Sequence, residues 1–161
     1  MSKLKRISCH SPITCKYLQY TLKNERMILL PLIQVELCSE KEKLNTIGLL
    51  DSGATATFIT NELASILDLI PEKLDIQDVS TAGGDASFFP IKIKSLSLLK
   101  GGAIFSSFNN LGVLVPSSIK KDLPYVILGR DTVFTRFNIF FNEKHKEFTL
   151  GHHKWTKVKL V

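Results

Sequence analysis

The sequence predicts an all-β domain, and three observations lead there. Short β-branched or aromatic runs alternate with polar residues, and turn residues punctuate them every ~8–12 positions, as in chains built from many short strands. Only two segments carry a helical pattern. The chain has 161 residues, the size of one domain that buries about two-thirds of its unfolded surface and needs no disulfide or metal to build a core. Hydrophobic residues make up 44% and charged residues 22%, a globular balance.

The elements follow in order. Residues 14–20, 27–38 and 45–50 read as strands, and the charged turn over 40–43 joins the last two into a hairpin. Residues 74–80 and 87–99 form extended arms around the turn Thr81-Ala82-Gly83-Gly84-Asp85. Lys100-Gly101-Gly102 is a second turn, leading into a strand over 103–108; Asn109-Asn110 separates that strand from another over 111–115. Residues 125–128 are a short apolar strand of the doubly buried kind. Residues 138–141 and 147–150 pair around a turn over 142–146, and 155–161 is a terminal strand anchored by Trp155. The first helix spans 61–69, with Leu63, Ile66 and Leu67 on one face and Thr60 as its cap. The second spans 132–137, with Asp131 at the capping position.

Net charge is +6, which raises a nucleic-acid reading. The excess sits at the ends: 8 Lys/Arg against 4 Asp/Glu over residues 1–44, 5 against 2 over 142–161, and 8 against 9 between them. No segment interleaves aromatics with basic residues as single-strand binders do, so nucleic acid is not an expected partner. The longest apolar stretch, residues 27–33, falls far short of the ~18 residues of a membrane span. No apolar run of the signal-peptide kind follows the basic start. The three cysteines, Cys9, Cys15 and Cys38, are an odd number that reads as reduced thiols in a cytoplasmic protein. Cys9, Cys15 and His10 lack the paired spacing of a metal site, and the adjacent His152 and His153 point to opposite faces of a strand. No metal and no cofactor are expected.

Chemistry concentrates in Gly48-Leu49-Leu50-Asp51-Ser52-Gly53-Ala54-Thr55. A strand delivers an aspartate to a tight turn where the core ends, so Asp51 is partly desolvated and faces backbone N–H groups. Gly53 permits close backbone approach, and Ser52 offers a hydroxyl to a neighbour. A single carboxylate of this kind is half of a catalytic pair. Two carboxyls in contact share one proton, so that one acts as base on a water while the other protonates the scissile carbonyl. No second Asp-Ser/Thr-Gly occurs in the chain. The second carboxylate is therefore expected to be Asp51 of another copy, across a twofold axis.

Leu49-Leu50-Asp51-Ser52-Gly53-Ala54-Thr55-Ala56-Thr57-Phe58-Ile59 resembles the catalytic segment of retropepsin-like aspartic proteases. Further along, Val126-Ile127-Leu128-Gly129-Arg130-Asp131 resembles that family's second signature, an apolar strand ending in a glycine before a short helix. The hairpin tipped by Gly83-Gly84 lies where the family carries its substrate-covering flap. In order, the resemblance covers about residues 27–151, and the helix directly after the catalytic segment is closer to cellular and prokaryotic single-domain members than to viral ones. It implies a closed β-barrel or sandwich with a flap hairpin and two short helices, acting as a symmetric homodimer. It further implies an endopeptidase (a hydrolase) with Asp51 catalytic, polypeptide substrates, and no membrane partner. Ser52, Gly53, Ala54 and Gly129 would support the catalytic loops; Ala82, Gly83, Gly84 and Asp85 would form the flap. Terminal strands would build the dimer interface. Residues 25–161 would be the protease domain, and 1–24 a basic N-terminal extension. The chain departs from viral members after Ala54: Thr55, Ala56 and Thr57 stand where an acidic partner for the signature arginine is usual, so Arg130 needs another partner. The alternative reading is a catalytically silent module that keeps the fold for dimerisation or peptide binding.

Overall fold

A computed structural model describes residues 11–21, 24–69, 76–81, 84–117 and 125–152. In chain order these form β1 (Ile13–Lys16), β2 (Leu18–Thr21), β3 (Met27–Leu30), β4 (Leu32–Cys38), β5 (Lys43–Leu50), α1 (Asn61–Ile66) and β6 (Gln77–Thr81). There follow β7 (Gly84–Lys100), β8 (Ala103–Pro116), β9 (Val126–Leu128), α2 (Val133–Arg136), β10 (Phe137–Asn142) and β11 (Glu147–His152). The domain is mostly β, as expected.

Two expected strands are each broken in two, and each break has a local cause. The 14–20 run switches sheets at Tyr17. This residue is buried, donates its N–H to Lys146 and packs its ring on Phe148. β1 therefore pairs with β11, while β2 pairs with β3. The 27–38 run breaks at Pro31, which has no N–H for a ladder; its carbonyl accepts the Leu50 N–H at 3.1 Å. β3 turns to β2, and β4 pairs with β5 on one side and β7 on the other. The break expected at Asn109-Asn110 does not occur: β8 continues through both residues, and its pairing with β7 shifts register elsewhere, between Leu98 and Leu99. Asn110 takes a left-handed φ of 50°, which asparagine tolerates, so the strand absorbs the irregularity.

The largest sheet has the order β6-β7-β4-β5-β9, with β8 on the far side of β7; β1-β11-β10 and β2-β3 are separate sheets. This corrects the expectation of a closed barrel: no continuous ladder closes among the described residues. Among the described residues, the three-residue β9 pairs as a ladder only with β5, in parallel, and the gap between β8 and β9 is crossed by single bridges from Phe58, to Leu114 and to Ile127. The core lies beneath this sheet, where Val35, Leu37, Leu98, Val126 and Leu128 are fully buried with Phe137 and Phe148 from the α2–β10–β11 region.

Thr60 caps α1 as expected, its hydroxyl accepting the Leu63 N–H, but the helix stops at Ile66 and the chain turns left-handed at Asp68. The expected terminal strand over 155–161, with Trp155, lies outside the described residues, as do Cys9, His10 and His153. Cys15 and Cys38 are free thiols. No helix among the described residues is long and apolar enough to cross a membrane.

Candidate active site

β5 sets the position of Asp51. Leu50, the last strand residue, is buried in the core, and the Asp51 N–H extends the parallel ladder by one more bond, to the Leu128 carbonyl at 3.2 Å. The chain then turns: Ala54 N–H donates to the Asp51 carbonyl at 3.3 Å, and Gly53 N–H donates to Asp51 Oδ1 at 2.8 Å. A Cβ on Gly53 would stand 3.2 Å from that same oxygen, so glycine lets the amide close onto the carboxylate. Asp51 is half-buried at the boundary of the core, and Ser52 is exposed at the tip of the turn.

The second expected segment lies directly against the first. Gly129 follows β9 and passes so close to Ala56 that a Cβ there would fall 2.1 Å from the Ala56 carbonyl oxygen. No other residue fits. Beyond this crossing the Arg130 N–H donates to Ala54 O at 2.9 Å and the Asp131 N–H to Thr55 O at 3.1 Å. The Asp51 turn is thus clamped to the β9 segment by backbone hydrogen bonds on the far side of the crossing.

Inside the crossing lies a hydroxyl relay that the sequence did not disclose. Gly129 N–H donates to Thr57 Oγ1 at 3.1 Å, Thr57 donates to Thr132 Oγ1 at 2.7 Å, and Thr132 donates to Asp131 Oδ1 at 2.9 Å. Thr57 and Thr132 are buried, so each hydroxyl needs these partners. This corrects the expected role of Asp131. Thr132 occupies the N-cap of α2, without a side-chain capping bond, and the Asp131 carboxylate terminates the relay. The available signal was two threonines, Thr55 and Thr57, alternating through an otherwise apolar segment. Arg130 is exposed and has no ion pair among the described residues.

Alternation about β5 and β9 separates two faces. Val126, Leu128 and Leu50 point into the core. Leu49, Asp51, Tyr125 and Ile127 fall on the other side. Phe58 bridges Ile127 there, and its ring packs 4.9 Å from that of Phe88 on β7. Burial pushes the Tyr125 phenol above its usual range, and the charges of Tyr20 and Asp51 add to the effect.

Of the expected flap residues, Ala82 and Gly83 lie outside the described residues. Gly84 and Asp85 open β7, opposite Thr81 and Ser80 of β6, so the two arms do form an antiparallel pair. A surface cavity of about 290 Å³ bordered by Glu40, Lys41, Asp68 and Lys92 shares no residue with the Asp51 site. Among the described residues no group of three His, Cys, Asp or Glu could hold a metal ion.

Residues 38–132, from the end of β4 to the cap of α2, match the family model for aspartyl proteases. The chain belongs to the aspartyl protease family. The matched span holds both the Asp51 turn and the Gly129 crossing. The protease fold is retropepsin-like: it is similar to the crystal structure of a retropepsin-like aspartic protease from Rickettsia conorii, with a TM-score of 0.58 and 18% identity, over 87% of this chain and 98% of that one. No curated protein matches this family member.

Proposed function

We propose that the chain is an aspartic endopeptidase that works as a symmetric homodimer, with Asp51 of each copy forming the catalytic dyad. The observation that carries this reading is the Asp51 turn: an aspartyl protease with one such turn per chain, pinned to β9 and to its own Gly53 amide. Two Asp51 carboxyls facing each other would share one proton. The ionised one would take a proton from a water as that water attacks the peptide carbonyl carbon, and the protonated one would give its proton to the carbonyl oxygen. Collapse of the tetrahedral diol would then pass a proton to the departing amine. Neither a covalent enzyme intermediate nor a metal is required.

In this reading the exposed Ser52 hydroxyls tie the two turns together across the twofold axis. Gly53 and Ala54 offer backbone groups to the substrate main chain, and Gly129 keeps β9 close enough to hold the turn. Ala82, Gly83, Gly84 and Asp85 close over an extended peptide that pairs by strand addition. Residues 25–161 form the protease domain, and residues 1–24 are an extension whose strands β1 and β2 dock on it. The free thiols Cys15 and Cys38 fit a reducing cytoplasmic setting.

The test is cleavage of denatured protein or a peptide library by the purified chain. Cleavage is expected to be fastest below neutral pH, to stop with a statine-type transition-state mimic, and to vanish in Asp51→Asn with the melting temperature kept. Equal rates for wild type and Asp51→Asn, or a sedimentation profile of strict monomer at micromolar concentration, would refute it.

A further inference from the structure

We propose that the surface cavity between the β4–β5 turn, the end of α1 and β7 is a docking site for an acidic stretch of polypeptide. Its lysines take the carboxylates of the bound segment, and its own carboxylates take that segment's main-chain N–H groups. As a means of choosing substrates the inference rests on the endopeptidase reading; as a binding site it stands apart from it.

Three elements distant in sequence meet at this cavity of about 290 Å³: the β4–β5 turn brings Glu40 and Lys41, the end of α1 brings Asp68 and Leu69, and β7 brings Lys92 and Lys94. Two left-handed residues shape its rim. Asp68, with a φ of 51°, turns the chain as it leaves α1. Asn110, with a φ of 50°, stands opposite Lys94, between the paired positions Ile93–Leu111 and Ser95–Asn109. Lys92 and Lys94 alternate with the buried Ile93, so both ammonium groups leave the same side of the strand.

The lining carries three ammonium groups and two carboxylates. Both carboxylates are engaged, Glu40 with Lys94 at 3.1 Å and Asp68 with Lys41 at 2.5 Å. Lys92 is exposed and makes no ion pair among the described residues, so the cavity holds one cation in excess. The existing pairs exchange easily: the Glu40 side chain is 79% exposed and that of Lys41 70%, and ion pairs in contact with water contribute little. An incoming carboxylate meets Lys92 and then draws Lys94 or Lys41 from its present partner. The carboxylate oxygens so released accept hydrogen bonds, which a peptide main chain supplies through its N–H groups and a phosphate backbone does not. The mixed lining therefore favours an acidic peptide over nucleic acid. The half-buried Leu69 and the lysine stems offer apolar contact to a side chain between two acidic ones. The volume is at the small end of ligand sites, which suits a few residues of extended chain.

Fluorescence polarisation of a labelled peptide with a Glu-Leu-Glu core reads the binding, against its Gln-Leu-Gln counterpart and with free glutamate as competitor. The acidic peptide is expected to bind wild type and Asp51→Asn alike, more tightly than the Gln peptide, and more weakly as salt rises. Each exposed ion pair lost weakens binding by about two- to fivefold, so Lys92→Gln combined with Lys94→Gln should weaken it by about tenfold. Both lysines are exposed, and the double variant should melt as wild type does. Equal affinity for the two peptides, a double variant that binds like wild type, or free glutamate competing as well as the peptide itself would overturn the inference. In cleavage, a substrate joined to the acidic core should show a lower KM than one joined to the Gln core. The double variant should remove that difference and leave kcat on a plain substrate unchanged; a difference that survives in it would also overturn the inference. A wild type that binds the acidic peptide but cleaves nothing would support the docking site and refute the endopeptidase reading alone.

Discussion

Replacing Gly129 with alanine puts the central crossing to a direct test. The new Cβ would lie 2.1 Å from the Ala56 carbonyl oxygen, 2.3 Å from its carbon and 2.9 Å from its nitrogen. All three are backbone atoms, so no side chain can rotate away. Normal contacts lie near ~3.5 Å, and the two backbones must separate by about 1 Å or more. That motion stretches three hydrogen bonds beyond useful range: Arg130 N–H to Ala54, Asp131 N–H to Thr55, and Gly129 N–H to Thr57 Oγ1. At about 0.5–1.5 kcal/mol each the loss is about 3 kcal/mol, which for a domain of this size lowers Tm by about 6–12 °C. Cleavage should fall at least about a hundredfold even below the new Tm, since a displacement of about 1 Å at the Asp51 turn is enough for that. Gly112→Ala supplies the control: it lies in β8, where an added methyl would meet nothing within 4 Å, and alanine there is expected to be neutral or slightly stabilising. Thermal melts and a cleavage assay on both variants read the outcome. A Gly129→Ala protein with wild-type Tm and activity would refute the close-crossing account.

Two further predictions concern groups around the site and the fold. Thr57→Val keeps the shape but leaves the buried Gly129 N–H without its acceptor, so denaturant unfolding should show a loss of about 1–3 kcal/mol; Thr57→Ser should restore most of it, and a silent Thr57→Val would remove the relay from the account. Burial, with help from Glu143, pushes the Tyr17 phenol up to about 12, so the folded state favours the protonated ring. Its stabilisation is complete below the ordinary tyrosine range near pH ~10 and is lost as pH rises from there through about 12. Tyr17→Phe should flatten the fall of Tm over that interval, and parallel curves for the two proteins would contradict the sign.

The candidate site is legible in the sequence wherever it is built from neighbours in the chain. An aspartate after two apolar residues and before Ser-Gly-Ala predicts a strand that ends in a tight turn, and the structure has β5 and the Gly53 amide on Asp51. The glycine after Val126-Ile127-Leu128 is legible for the same reason. The relay from Thr57 through Thr132 to Asp131 is not, because it joins residues 75 apart and nothing local distinguishes a threonine that donates across the fold from one that faces solvent. Position alone puts Asp131 at a helix cap, and only the neighbouring hydroxyls reveal its other partner.

By itself the sequence determined the strand-rich class, the Asp51 turn, the Gly129 segment and the presence of a single Asp-Ser-Gly, from which the expectation of a second copy follows. These rest on backbone propensity, turn chemistry and a count of motifs, all of which act over a few residues. Only the tertiary structure decided where strands end, which edges meet and which distant side chains touch. Pro31 and Tyr17 redirect the chain between sheets, β9 leaves the sheet open where a barrel was expected, and Tyr20 reaches Tyr125 from the other end of the chain. Such contacts depend on how burial is shared among distant segments, and that competition is settled only when the whole core packs.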